Sequence, residues 1–252
     1  MKSLALLAAI LAARQGLPEK PSKDLDPKDP RSVVEHAAFN TRTQKSYETR
    51  FKARLTPPQG DTLDYNGQCV WVRPGLLYTH YTASGGDEKN IVRVGNQVWL
   101  HDRLVGWVTS DEAGMPGAGR GVQNPDDVLS VLARHAGVAK LRQPGLVDMT
   151  FSGEDIEKIM KEQSQAGAFD WKGSSAAIEL HVDADYRLKK FSCQATLKPN
   201  DPKASGVVKY WAEVEAAGYN GATELKLQDE KKEITLSDDI RKAIETLLKE
   251  KR

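Results

Sequence analysis

The sequence predicts an α+β fold built on a single antiparallel sheet of about ten strands, curved or barrel-like, with helices at its start, middle and end. Three observations lead there. Short runs of alternating apolar and charged residues are separated by tight Gly, Pro and Asn turns, and consecutive strands joined that way must pair antiparallel. Apolar residues at helical spacing appear only around residues 30–38, 125–160 and 237–248. No repeat of fixed period occurs and no linker splits the strands into two groups, so one sheet explains the pattern more simply than two domains.

The elements follow in chain order. Residues 1–13 join a minimal positive start, Met1-Lys2, to an apolar run, LALLAAILAA, of the length of a secretory signal core. A cut after Ala13 puts Ala at −1 and Leu11 at −3, and the competing reading is a short buried helix. No cysteine lies near the run, so a lipid-modified N-terminus is not expected. Residues 14–29 hold three prolines, with a fourth at Pro30, and many charges, and too few large apolar groups to offset the entropy of ordering them. They read as a linker, with the folded domain spanning residues 30–252.

Asp29-Pro30 supplies an N-cap and a first-turn proline for a helix carrying Val33, Val34, Ala37 and Ala38. Tyr47, Thr49, Phe51, Ala53 and Leu55 then alternate with Glu48, Arg50, Lys52 and Arg54, a strand with one apolar and one solvated face. Residues 63–72 and 76–83 form the next strands. Residues 91–94 and 97–101 flank Gly95-Asn96 as a hairpin does, and 105–108 form a sixth strand. A glycine-rich loop, 114–121, leads to Asn124-Pro125-Asp126-Asp127, which starts a helix with Val128, Leu129, Leu132 and Ala136. Residues 146–151 read as a strand, and Ser152-Gly153-Glu154-Asp155 opens a helix with Ile156, Ile159 and Met160. Strands return at 176–182, 187–197, 207–216 and 224–227, and Ser237-Asp238-Asp239 caps a helix with Ile240, Ala243, Ile244, Leu247 and Leu248 on one side.

Composition and motifs exclude several functions. With 36 Lys+Arg against 35 Asp+Glu the net charge is +1, without the basic excess that holds a phosphate backbone, so no nucleic acid is expected. A mean hydropathy of −0.54, and no apolar run near the ~20 residues of a membrane helix, argue against an integral helical membrane protein. His36, His80, His101, His135 and His181 are scattered without metal-ligand spacing, so neither a metal nor another cofactor is expected. The G-x-S-x-G, S-x-x-K and H-E-x-x-H signatures are missing as functional sets, leaving a hydrolase only through an unrecognised site. The 114–121 loop lacks the spacing of a dinucleotide fingerprint and reads as a loop or lid, while Asp183 and Asp185 read as turn chemistry. Cys69 and Cys193 lie in strand-like runs, and spacing leaves open one disulfide or two buried thiols. Aromatic residues on strands, among them Tyr47, Tyr65 and Tyr78, fill either an ordinary core or the wall of a cavity, and periodicity alone does not separate the two.

Residues 65–78 (YNGQCVWVRPGLLY) and 91–102 (IVRVGNQVWLHD) carry a resemblance. The pattern of a helix, a strand near an aromatic, Gly-x-x-x-x-x-Arg-Pro, a hydrophobic strand, a Gly turn and a Trp strand is met by Phe51, Gly67, Arg73-Pro74, Gly95 and Trp99. Over residues 31–108 the chain resembles the bacterial lipoprotein-sorting carrier superfamily, which includes the periplasmic lipoprotein chaperone and mycobacterial lipid-carrying lipoproteins. The resemblance implies an incomplete half-barrel with helices across its concave mouth and a cavity for acyl chains. It also implies carriage rather than catalysis, a periplasmic location, and as partners the acyl chains of lipids or lipoproteins with a membrane-bound donor or acceptor protein. A monomer is the working expectation. By position and alternation the cavity-lining residues are Phe51, Leu55, Trp71, Leu77, Tyr81, Trp99 and Trp107, each of which an ordinary core also accommodates. The alternative function is a periplasmic interaction or sensor module with the same half-barrel and a filled core.

Overall fold

The computed structural model describes residues 20–21, 23–73, 75–86, 88–102, 104–113, 125–135, 138–162, 169–200, 205–221 and 235–250. The expectations placed on residues 1–19, on the glycine-rich 114–121 loop and on the 224–227 strand lie outside them. Eleven antiparallel strands form one sheet in the order β6-β5-β4-β3-β2-β1-β11-β10-β9-β8-β7, with β6 and β7 at its two ends, so the sheet is open rather than closed. Helices pack on it, and the fold is α+β as the sequence predicts. The chain divides into two compact units, one within residues 1–43, 51–65 and 123–215, the other within 44–50, 66–122 and 216–252.

The first unit contains α1 (Pro30–Arg42), α2 (Pro125–His135), α3 (Gly153–Glu162) and the strands β7 (Val138–Gln143), β8 (Leu146–Phe151), β9 (Phe169–Val182), β10 (Leu188–Pro199) and most of β11 (Val208–Ala217). Helix α1 starts where Asp29 accepts a hydrogen bond from the Arg31 N–H and Pro30 pre-sets the first turn. Val33, Val34 and Ala37 are wholly buried, and the helix packs against α2. Its end is fixed by buried Thr41, whose Oγ1 accepts from the Leu188 N–H at 2.8 Å. Helix α3 opens on a reciprocal cap: Ser152 N donates to Asp155 Oδ2 at 3.0 Å, and Asp155 N to Ser152 Oγ at 3.3 Å.

Two strand features depart from the sequence expectation. The sequence does not predict strand β7, because only Ala139 and Leu141 alternate with exposed Val138, Lys140 and Arg142 in a short run with little apolar content. Such charge suits an end strand, where it discourages further pairing, and Arg142 bridges Asp148 and Glu179 at 2.9 and 2.8 Å. Strand β9 begins at Phe169 rather than 176, through Lys172-Gly173-Ser174-Ser175, where a register shift against β10 breaks the alternation.

The second unit contains β2 (Leu63–Val72) from residue 66, β3 (Leu76–Ala83), β4 (Glu88–Val94), β5 (Gln97–Asp102), β6 (Gly106–Thr109) and α4 (Asp238–Glu250). The strands form the predicted meander, with Gly95 at φ +58° in the β4–β5 turn, a conformation glycine adopts without strain. Strand β1 (Ser46–Thr56) alternates as read, with Tyr47, Thr49, Ala53 and Leu55 buried, Phe51 half-buried, and Glu48, Arg50, Lys52 and Arg54 exposed.

The register gives the β3–β5 sheet two buried faces. Tyr78, Val92 and Trp99 stand in line on one, while Leu77, Arg93 and Val98 stand in line on the other. The first is covered by α4, whose Ile240 is fully buried against Val70, Leu76, Tyr78, Val92, Val94 and Trp99, with Ala243, Ile244 and Leu247 alongside. Leu248, placed by periodicity on the same stripe, is about half exposed.

Candidate functional site

An apolar cavity of about 50 Å³ lies in the first unit, between α2 and α3 and the inner side of β8–β11. Its helical wall is Val128, Val131, Leu132, Ile156 and Ile159. The strand wall includes Phe151, Ile178, Phe191, Ala195 and Leu197. On β10 the lining residues fall at every second position, Phe191, Cys193, Ala195 and Leu197, as a strand with one face on a cavity requires.

Two lining groups carry polar atoms, and burial keeps both uncharged. Burial pushes the Cys193 thiol up to about 12. Burial, and after it the neighbouring Cys193, raises the Tyr210 hydroxyl well above the ordinary phenol range. The wall therefore offers dispersion and apolar contact rather than acid–base or nucleophilic chemistry. No group of three or more metal-ligating side chains occurs among the described residues.

None of the seven residues selected from the sequence is among those that line this cavity. Trp71 and Leu77 cluster with Tyr47 on one face of the second unit's strands, and Tyr81, two pairs along β3 from Leu77, shares that face. Trp99 and Trp107 lie on the opposite face, in the core beneath α4, where Trp107 Nε1 donates to the Thr235 carbonyl at 3.0 Å. Phe51 and Leu55 share the inner side of β1 in the first unit. Within the second unit the five residues therefore fall on two faces, because strands buried on both sides send neighbouring apolar residues in opposite directions.

The face bearing Trp71 is also less apolar than its sequence suggests. Arg93, 5% exposed, stacks over the Trp71 ring at 5.3 Å, and Arg73 approaches the same ring at 5.9 Å. Arg73 Nε donates to the Gln44 carbonyl at 2.8 Å, while the buried Trp71 Nε1 has no hydrogen-bond partner among the described residues. Of the two states left open for the cysteines, the structure has the free thiols: Cys69 contacts Thr79 Oγ1 at 3.4 Å and Cys193 faces the cavity.

The cavity residues missed at the sequence level were legible as elements but not as a site. Their signal was the apolar alternation of β9 and β10 together with two short helices of strong apolar faces, all beyond residue 108, where the resemblance to a carrier ends.

No protein-family model and no curated protein matches the chain. Among solved structures it is similar to lipoprotein LppX of Mycobacterium tuberculosis, at 10% identity and a TM-score of 0.39, over 77% of this chain and 96% of that one. It is also similar to a LolA superfamily protein of Nitrosomonas europaea, at 10% identity and a TM-score of 0.30, over 84% and 96%. A DUF1329 family protein of Desulfovibrio piger aligns at 10% identity and a TM-score of 0.32, over 78% and 95%. The likeness is structural, at low identity, and spans most of the chain.

Proposed function

We propose that this protein is an exported, periplasmic, non-enzymatic binder of acyl chains, carrying lipids or acylated proteins between a membrane-bound donor and an acceptor. The observation that carries the reading is the cavity wall: helices α2 and α3 close an apolar chamber against the sheet, and its two polar side chains are held neutral. An apolar chain entering such a chamber gains about 0.8 kcal/mol per methylene removed from water.

The chamber of about 50 Å³ has room for only a few water-sized guests at about 10–15 Å³ each, so a longer chain must displace its roof. Helices α2 and α3 are 11 and 10 residues long, too short to be stable alone, and their apolar faces hold them down. An acyl chain that covers the sheet in their place replaces the contacts they give up. The same small volume favours a second reading, an interaction or sensor module with a filled core.

Native mass spectrometry of the protein recovered from the periplasm, with organic extraction of what co-purifies, separates the two. The carrier reading expects a stoichiometric lipid or acylated peptide, or uptake of a fluorescent fatty acid by the empty protein. An empty mass with no uptake overturns it in favour of the interaction module.

A further inference from the structure

We infer that the Tyr210 hydroxyl is the specificity element of the chamber, a hydrogen-bond donor for the carbonyl of an acyl chain held in a neutral ester linkage. The inference rests on the carrier reading and names the class of chain that the chamber takes. Tyr210 is 8% exposed, lines the chamber from β11, and carries the one hydroxyl among the described lining side chains. That hydroxyl makes no hydrogen bond to a described residue. A buried phenol ordinarily finds a partner, since an unsatisfied donor forfeits its contact with water and gains nothing in return. In the wall of an apolar chamber, such a donor is explained by a partner that arrives with the ligand.

The register shows why the space lies beside it. Tyr210 pairs with Ala195 of β10, and Ala195 with Ala176 of β9, so a row across three strands holds one long side chain and two methyl groups. All three residues line the chamber. Side chains directly opposite one another start about 5 Å apart, and the two alanines fill little of the height that a larger pair would occupy beside the ring. Cys193, the diagonal neighbour on β10, is the other polar group and only a weak hydrogen-bonding one.

The surroundings select the polar atom of the ligand. No described lining residue is cationic, so an ionised carboxylate drawn in beside Tyr210 leaves water without a counter-charge. Burial keeps the phenol protonated, which preserves it as a donor. A plain hydrocarbon fills the same space but strands the hydroxyl. A neutral carbonyl accepts the phenol proton in a hydrogen bond and brings no charge, so esterified chains are favoured over both.

Fluorescence titration of the full chain with three pyrene-tagged probes of equal length tests the assignment: a fatty-acid methyl ester, the free acid at neutral pH, and an alkane. The wild type is expected to bind the ester most tightly. Tyr210→Phe is expected to weaken the ester about fivefold, the worth of one neutral hydrogen bond, without weakening the alkane. Because the hydroxyl bonds to nothing described in the fold, Tyr210→Phe is also expected to leave the urea unfolding midpoint no lower than that of the wild type. An ester affinity unchanged in the variant, an equal loss for ester and alkane, a lowered unfolding midpoint, or a free acid bound by the wild type as tightly as the ester overturns the assignment. The two readings fail separately. Alkane binding with an ester affinity indifferent to Tyr210→Phe leaves the carrier and removes the donor, whereas binding of none of the three probes by the wild type removes the carrier, and the donor with it.

Discussion

Replacing Ile178 with alanine tests at once whether the cavity is a packed wall and whether a ligand uses it. Ile178 is 7% exposed, sits between Met149 of β8 and Cys193 of β10, and lines the cavity floor. The substitution removes about three methylene equivalents, a transfer loss of roughly 2.4 kcal/mol at about 0.8 kcal/mol each. The new void joins the existing one of about 50 Å³, and because the sheet on either side is held by paired strands it has little freedom to collapse. Adding a penalty on the order of 24 cal/mol per Å³ for the uncollapsed part brings the expected destabilisation to about 3–4 kcal/mol. Urea unfolding followed by tryptophan fluorescence reads this as a lower midpoint with an unchanged slope. Ligand binding moves in the opposite direction: the enlarged chamber admits more of an acyl chain with less displacement of α2 and α3, so a fluorescent fatty acid binds several-fold tighter per methylene accommodated. A loss below about 1 kcal/mol refutes the packing argument. An unchanged affinity in a folded variant refutes the assignment of this chamber as the acyl site.

Other expectations follow from single contacts. At Gly153, the first residue of α3, an added Cβ would overlap the Lys172 carbonyl and lie 2.7 Å from its Cα, so Gly153→Ala is expected to lower the unfolding midpoint sharply while an alanine at exposed Glu154 leaves it nearly unchanged. Ser152→Ala removes the cap of α3 and is expected to cost about 1 kcal/mol in chemical denaturation. The Ser152 hydroxyl, followed by its backbone N–H, holds the Asp155 carboxyl below the usual carboxylate range. A depressed folded value means that this stabilisation is present above the unfolded carboxylate pKa and lost as pH falls through the folded one, so the stability gap between wild type and Asp155→Asn should close on acidification. The Cys193 thiol, raised to about 12, should resist alkylation at pH 8 in the folded protein and react once urea exposes it; rapid native-state labelling at this residue would contradict its burial.

Much of the framework was legible because it is encoded locally. Asp29-Pro30 stops one segment and starts a helix, the alternation from Tyr47 to Leu55 assigns the two sides of β1, and Gly95-Asn96 sets a hairpin, each through the conformational limits of a few residues. Strand β7 is not legible in the sequence because an end strand has only one partner and little apolar area to declare itself. The first half of the long β9 is not legible in the sequence, because Gly173 and the register shift interrupt the period of two.

The candidate site divides along the same line. Val128, Leu132, Ile156 and Ile159 were recognisable as helix faces, and Phe191, Cys193, Ala195 and Leu197 fall within a run read as a strand. Nothing in either pattern says that these faces close on one another, because that contact joins segments some 35 to 70 residues apart and depends on how each helix is laid down. Trp71 and Trp99 show the converse. Each reads as a strand aromatic of the same cluster, yet β3 buries Leu76, Leu77, Tyr78 and Thr79 in succession, so its sequence loses the alternation that would name an inner side. The sequence by itself determined the helices, most of the strands and their antiparallel order, since these follow from turn chemistry and periodicity. Only the tertiary structure decided which buried face is covered by α4 and which apolar faces enclose a chamber, because with both sides of a strand out of water the hydrophobic effect favours burial without choosing the side.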